Sequence, residues 1–62
     1  MAMEVESIIN SPDEENSNYG HVTVVVHDTD TGERATASRE YDLFTKESDA
    51  EASAIQDAID KL

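Results

Sequence analysis

The chain has 62 residues and no cysteine, and 37% of its residues are hydrophobic. Fifteen Asp and Glu stand against four Lys and Arg, a formal net charge of −11. That length leaves room for one domain, residues 1–62. The missing cysteine excludes disulfides, thiolate metal sites and a cysteine nucleophile, and the charge opposes direct contact with nucleic acid or an acidic membrane.

Ala2 to Ile9 alternates weakly and predicts a first strand, with Met3, Val5 and Ile9 toward a core and Glu4 and Glu6 outward. Ile8 breaks the alternation, which calls for a bulge or a second buried face. Residues 10–20, dense in Asn, Ser, Pro and Gly, predict a long loop. His21 to His27 is the clearest strand: Val22, Val24 and Val26 share one face, and Thr23, Val25 and His27 share the other. Asp28 to Gly32 reads as a turn in which Gly32 takes the left-handed conformation. Glu33 to Tyr41 returns as a third strand, with Ala35, Ala37 and Tyr41 on one face, small enough to let a helix sit close.

That helix is predicted over residues 49–62, about 21 Å long. Ser48 and Glu51 have capping-box spacing. Ala52, Ile55, Ala58, Ile59 and Leu62 recur at helical period, with Asp49, Ser53, Gln56 and Asp60 opposite. The sum is an α+β fold, a three-stranded antiparallel sheet (β-β-β-α) with the C-terminal helix packed on one face. The expected core is Val5, Val22, Val24, Val26, Tyr41, Leu43, Phe44, Ile55, Ile59 and Leu62. The free sheet face, carrying Val25 and Ile8, leaves both a monomer and a homodimer open. Glu4 and Glu6 stand where a signal peptide would be basic, and no apolar run approaches the ~20 residues of a membrane span. The sequence therefore predicts a cytoplasmic protein without membrane contact.

Chemistry-bearing motifs are few. Asp30-Thr31-Gly32 matches the aspartic-protease tripeptide, but that chemistry needs two facing carboxylates inside a cleft, and a hairpin turn accounts for it. Asp28, Asp30 and Gly32 begin like a calcium loop, yet Glu33 stands where the loop needs its glycine and Arg39 where it needs its last carboxylate. His21 and His27 are ~20 Å apart on a strand, too far to share a metal. No catalytic residue, cofactor or metal is expected.

The carboxylates remain. Glu4/Glu6, Asp28/Asp30 and Glu40/Asp42 are spaced two apart, about 6.6 Å on a strand, similar in scale to successive phosphates of one nucleic-acid strand. The meander should gather Asp13, Glu14 and Glu15 with Glu40, Asp42, Glu47, Asp49 and Glu51 at one end, as a partner-binding acidic patch. Glu4, Asp28, Asp30 and Glu33 should form a second patch at the other end. The favoured partner is a basic protein surface, with Lys and Arg meeting these carboxylates in charge-assisted hydrogen bonds.

In size, charge, paired carboxylates such as Glu40/Asp42 and β-β-β-α pattern, the chain resembles the small acidic anti-CRISPR proteins. That resemblance implies a DNA-mimic inhibitor occupying the DNA-binding channel of a CRISPR surveillance complex in a host cytoplasm. Arg34 and Arg39 depart from a continuous negative stripe. Two other readings compete. One is a halophilic domain whose acidity serves solubility, suggested by the scarcity of lysine. The other is an oligomeric interaction module that uses the free sheet face.

Overall fold

A computed structural model describes residues 2–62 and has the α+β architecture expected. Strand β1 (Met3–Pro12), β2 (Gly20–Asp28) and β3 (Arg34–Tyr41) precede one helix, α1 (Glu47–Lys61). The sheet order is β1-β2-β3, antiparallel throughout.

Alternation on β2 sets the two faces. Val22, Val24 and Val26 are buried in the core that the helix covers, and Asp28, next in the alternation, is buried at the turn end of the strand. Register then assigns the neighbours: Ala37 opposes Val24 and Ala35 opposes Val26, whereas Thr23 opposes Ser38 and Val25 opposes Thr36 on the open face. The helix completes the core with Ala50, Ala54 and Ala58, one residue per turn. Five alanines at this seam let α1 lie close against β2 and β3. It reaches β1 through a hydrogen bond from Asn10 Nδ2 to Glu47 Oε1 (2.8 Å).

Several sequence expectations are corrected. β1 runs to Pro12, so the loop shrinks at its start, and its register slips between Val5 and Ser7, leaving Glu6 as the extra residue of a bulge. The slip transfers Ile8 to the helix face, where it opposes Val24, and Ile9 to the open face, where it opposes Thr23. Because α1 sits over β2 and β3, most of the helix face of β1 stays uncovered: Val5 is exposed rather than core, and only Met3 packs, partly buried, against the core. Leu43 and Phe44 are also not core. They lie on the β3–α1 connection, 62% and 95% exposed, because Asp42 Oδ1 accepts from the Phe44 and Thr45 amides and turns the chain outward. Ile55, Ile59 and Leu62 only flank the alanine seam, and Ala52 is exposed. The helix begins at Glu47 with Lys46 as N-cap and no side-chain cap, so Ser48 lies inside its first turn. The Asp49 and Ala50 amides donate to the Lys46 carbonyl, which starts the ladder ahead of Ser48.

Candidate functional site

The end of the sheet that holds the β1–β2 loop, the exit of β3 and the start of α1 is built by short polar contacts. The Asp13 amide donates to the Tyr19 carbonyl (2.8 Å), and the Asp13 carboxylate accepts from the Glu15 amide (2.9 Å). Asn16 closes the loop tip by accepting from the Asn18 amide through its side chain and the Tyr19 amide through its carbonyl. Beneath, the buried Tyr41 donates its hydroxyl to Asn10 Oδ1 (2.7 Å), and Asn10 in turn holds Glu47. One asparagine therefore fastens β1 to both β3 and α1.

Over this base lies an open groove of about 620 Å³ lined by Ser11, Asp13, Tyr19, His21, Glu40 and Asp42, among others. A neighbouring groove of about 330 Å³ runs from Asp42 to Lys46 and Glu47. Of the carboxylates assigned to this end from sequence, Asp13, Glu40 and Asp42 share the first groove, and Glu47 joins Asp42 in the second. Glu14, Glu15 and Asp49 are exposed outside both grooves, and Glu51 is half-buried on the helix flank. The groove walls Tyr19 and His21, and the supporting Asn10, were not foreseen. They are brought there by the pairing of Gly20 with Tyr41, a matter of register without a local sequence signal, which sets the start of β2 beside the end of β3.

The opposite end gathers the predicted second patch, with one correction. Asp28 is not a surface charge. It is 3% exposed, accepts from the Asp30 amide (2.9 Å), and its backbone closes the turn with Glu33 and Gly32. Asp30 accepts from the Ala2 amide (3.0 Å), so it too fixes the turn. Glu4 and Glu33 remain exposed.

Most of the basic groups are bound within the fold. Arg34 pairs with Glu6 at 2.9 Å across the open face, and Arg39 pairs with Asp57 of the helix. The Arg39 hydrogen bond, helped by its charge, holds the Asp57 carboxyl below the usual range. Lys61 donates to the Thr36 carbonyl (2.7 Å). Among the described residues, none of these cations forms an ion pair with the groove carboxylates Asp13, Glu40 and Asp42. Among the described residues, no group of three or more His, Asp or Glu is arranged to hold a metal ion, and no helix is long and apolar enough to cross a membrane.

Compared with known proteins, the chain matches no family model, no curated protein and no solved structure.

Proposed function

We propose that this chain is a non-enzymatic binding protein whose acidic end imitates nucleic-acid phosphates and docks on a basic nucleic-acid-binding channel. The observation that carries this reading is the convergence of Asp13, Glu40 and Asp42 on one groove, while both arginines are committed to Glu6 and Asp57. Asp13 and Asp42 accept from loop amides, but carboxylates left without an internal cation attract Lys and Arg of a partner over long range, and they form strong charge-assisted hydrogen bonds on contact. The resemblance in size and charge to acidic anti-CRISPR proteins makes the DNA channel of a CRISPR surveillance complex the specific partner class.

The test neutralises the groove without altering its shape: Asp13→Asn, Glu40→Gln and Asp42→Asn together. Asparagine keeps the acceptor oxygens that Asp13 and Asp42 offer to the loop amides. Competition with DNA for a purified surveillance complex is expected to weaken by at least about tenfold, the equivalent of ~1.4 kcal/mol. Glu33→Gln at the far end should leave competition unchanged. Undiminished competition by the triple variant overturns the reading.

A second reading is favoured by the spread of charge. Exposed acids occupy both ends of the sheet and the outer helix face, at Asp49 and Asp60, as well as the groove. An acidic coat around a core of valines and alanines suits a protein adapted to concentrated salt.

A further inference from the structure

β1 is an edge strand, and its outer rim is the longer of the two sheet edges. The other edge, β3, is partly occupied: Lys61 at the end of α1 donates to its Thr36 carbonyl. Along β1, Ser7–Pro12 carries no charge, and apolar side chains stand exposed on both faces. Ile8 is 44% exposed on the helix face and Ile9 is 55% exposed on the open face. Natural edges are usually blunted by charge, and in a chain of net charge −11 this gap is specific.

We propose that a second copy of this chain pairs with β1 in antiparallel fashion about a two-fold axis at Ile9. Backbone alternation fixes this register. The Asp13 amide bonds inward to Tyr19 on the β2 side, so Ser11, Ile9 and Ser7 also direct their backbone groups at β2. Ile8 and Asn10 direct theirs outward. With Ile9 on the axis, Ile8 meets Asn10 of the second copy and Asn10 meets its Ile8, each pair exchanging two ladder hydrogen bonds, about four in all. Ile9 then faces Ile9 of the second copy at a non-hydrogen-bonded position, where Cα atoms are ~4.5 Å apart. Moving the axis by one residue sets Asn10 against the bulged Glu6 or Ile8 against Pro12, which has no amide hydrogen.

The same two features end the ladder. The bulge at Glu6 and the proline at position 12 bound the pairing segment, and the β3 edges, each with its Thr36 carbonyl taken by Lys61, become the outer rims of a six-stranded sheet. The symmetry closes at two copies instead of growing into a fibre. A basic partner has nothing to recognise along this uncharged segment, whereas an identical strand complements it. Of the carboxylates beside this segment, Glu6 is matched by Arg34 and Glu47 accepts from Asn10, while Asp13 lies beyond Pro12. A pairing of this length belongs with interfaces below ~1,200 Å², so the dimer forms at high concentration, and it strengthens as salt screens the repulsion between two acidic copies. This response is opposite in sign to that of docking on a basic channel, so the two proposals stand or fall separately.

The test uses sedimentation up to about 1 mM protein, at ~0.15 M and ~2 M KCl, together with single-cysteine variants of this cysteine-free chain. Wild type is expected to shift toward dimer with concentration and salt. Ile9→Lys should remain monomeric while its circular dichroism stays native. Ile9→Cys should oxidise to a linked dimer, because ~4.5 Å lies within the Cα separation a disulfide spans. Ser53→Cys, on the exposed face of α1, should not. A wild type that stays monomeric across the whole range, or a dimer that survives Ile9→Lys, overturns the proposal.

Discussion

At Gly20, β1 and β3 crowd β2 so closely that a side chain has no room. A Cβ at this position would lie 2.6 Å from the Tyr41 hydroxyl, 2.7 Å from the Ser11 carbonyl oxygen and 2.8 Å from the Pro12 Cα. Two of these are backbone atoms and the third is fixed by its bond to Asn10. Gly32 differs: its φ is +80°, but a Cβ there would meet nothing within 4 Å. Gly20→Ala is therefore expected to cost about 1–3 kcal/mol through overpacking, and it should also disturb the Tyr41–Asn10–Glu47 chain under the acidic groove. Gly32→Ala should cost about 1–2 kcal/mol of backbone strain, with the groove intact. Urea unfolding of the two variants measures the costs, and amide spectra of Asp13 and Glu40 show which one moves the groove. Of these roles, only the left-handed turn at Gly32 was legible in the sequence. Gly20 looked like an ordinary loop residue, because its constraint comes from Tyr41, twenty-one positions away, and becomes visible only once β2 and β3 are in register.

At the scale of elements, order and type followed from local pattern. The valines of β2 alternate over a full strand, Gly32 marks the hairpin, and residues 49–62 carry helical spacing. Faces were legible where alternation was unbroken, on β2 and β3. They failed on β1, since an inserted bulge residue reverses the side of everything beyond it, and Ile8 and Ile9 exchanged roles accordingly. On α1 the apolar stripe was found, but its centre was displaced. Bulk suggested Ile55, Ile59 and Leu62, whereas close approach to Ala35 and Ala37 demands the smallest side chains at the seam. Ala54 is fully buried there, and Ala52, two positions earlier, is exposed. Ala54→Leu should push the helix off the sheet and cost about 1–3 kcal/mol. Ala52→Leu should stay within about ±0.5 kcal/mol, as surface substitutions do. Thermal melts of the two variants separate these outcomes. Equal losses would mean that the alanine seam does not set the helix position.

Over the whole molecule, charge and shape act together. The Cα envelope measures 41 × 18 × 13 Å with a radius of gyration of 12.4 Å, against about 10.6 Å for a typical compact chain of this length. Elongation places the two acidic ends several Debye lengths apart at physiological salt, where that length is ~8 Å, so each end acts as a separate charge cluster. The sequence shows this polarity, because a meander sorts its turns to opposite ends. It does not show that the arginines are internally matched, since Arg34 meets Glu6 across the sheet at the β1 bulge and Arg39 meets Asp57 only where α1 lies over β3. The inward turn of Asp28 is the β2 alternation carried one step past the turn expected there. Repulsion within each cluster opposes a small core, so the melting temperature is expected to rise between dilute buffer and ~2 M KCl. The cause of the acidity can then be read from variants in dilute buffer. If the groove serves a partner, Asp13→Asn/Glu40→Gln/Asp42→Asn should raise the melting temperature while competition for the basic channel is lost, because a recognition cluster is held together against its own repulsion. If the acidity is an adaptation to salt, wild type should unfold in dilute buffer. Removing three charges at the outer helix face and far end, Asp49→Asn, Asp60→Asn and Glu33→Gln, should then restore folding as well as the groove variant does.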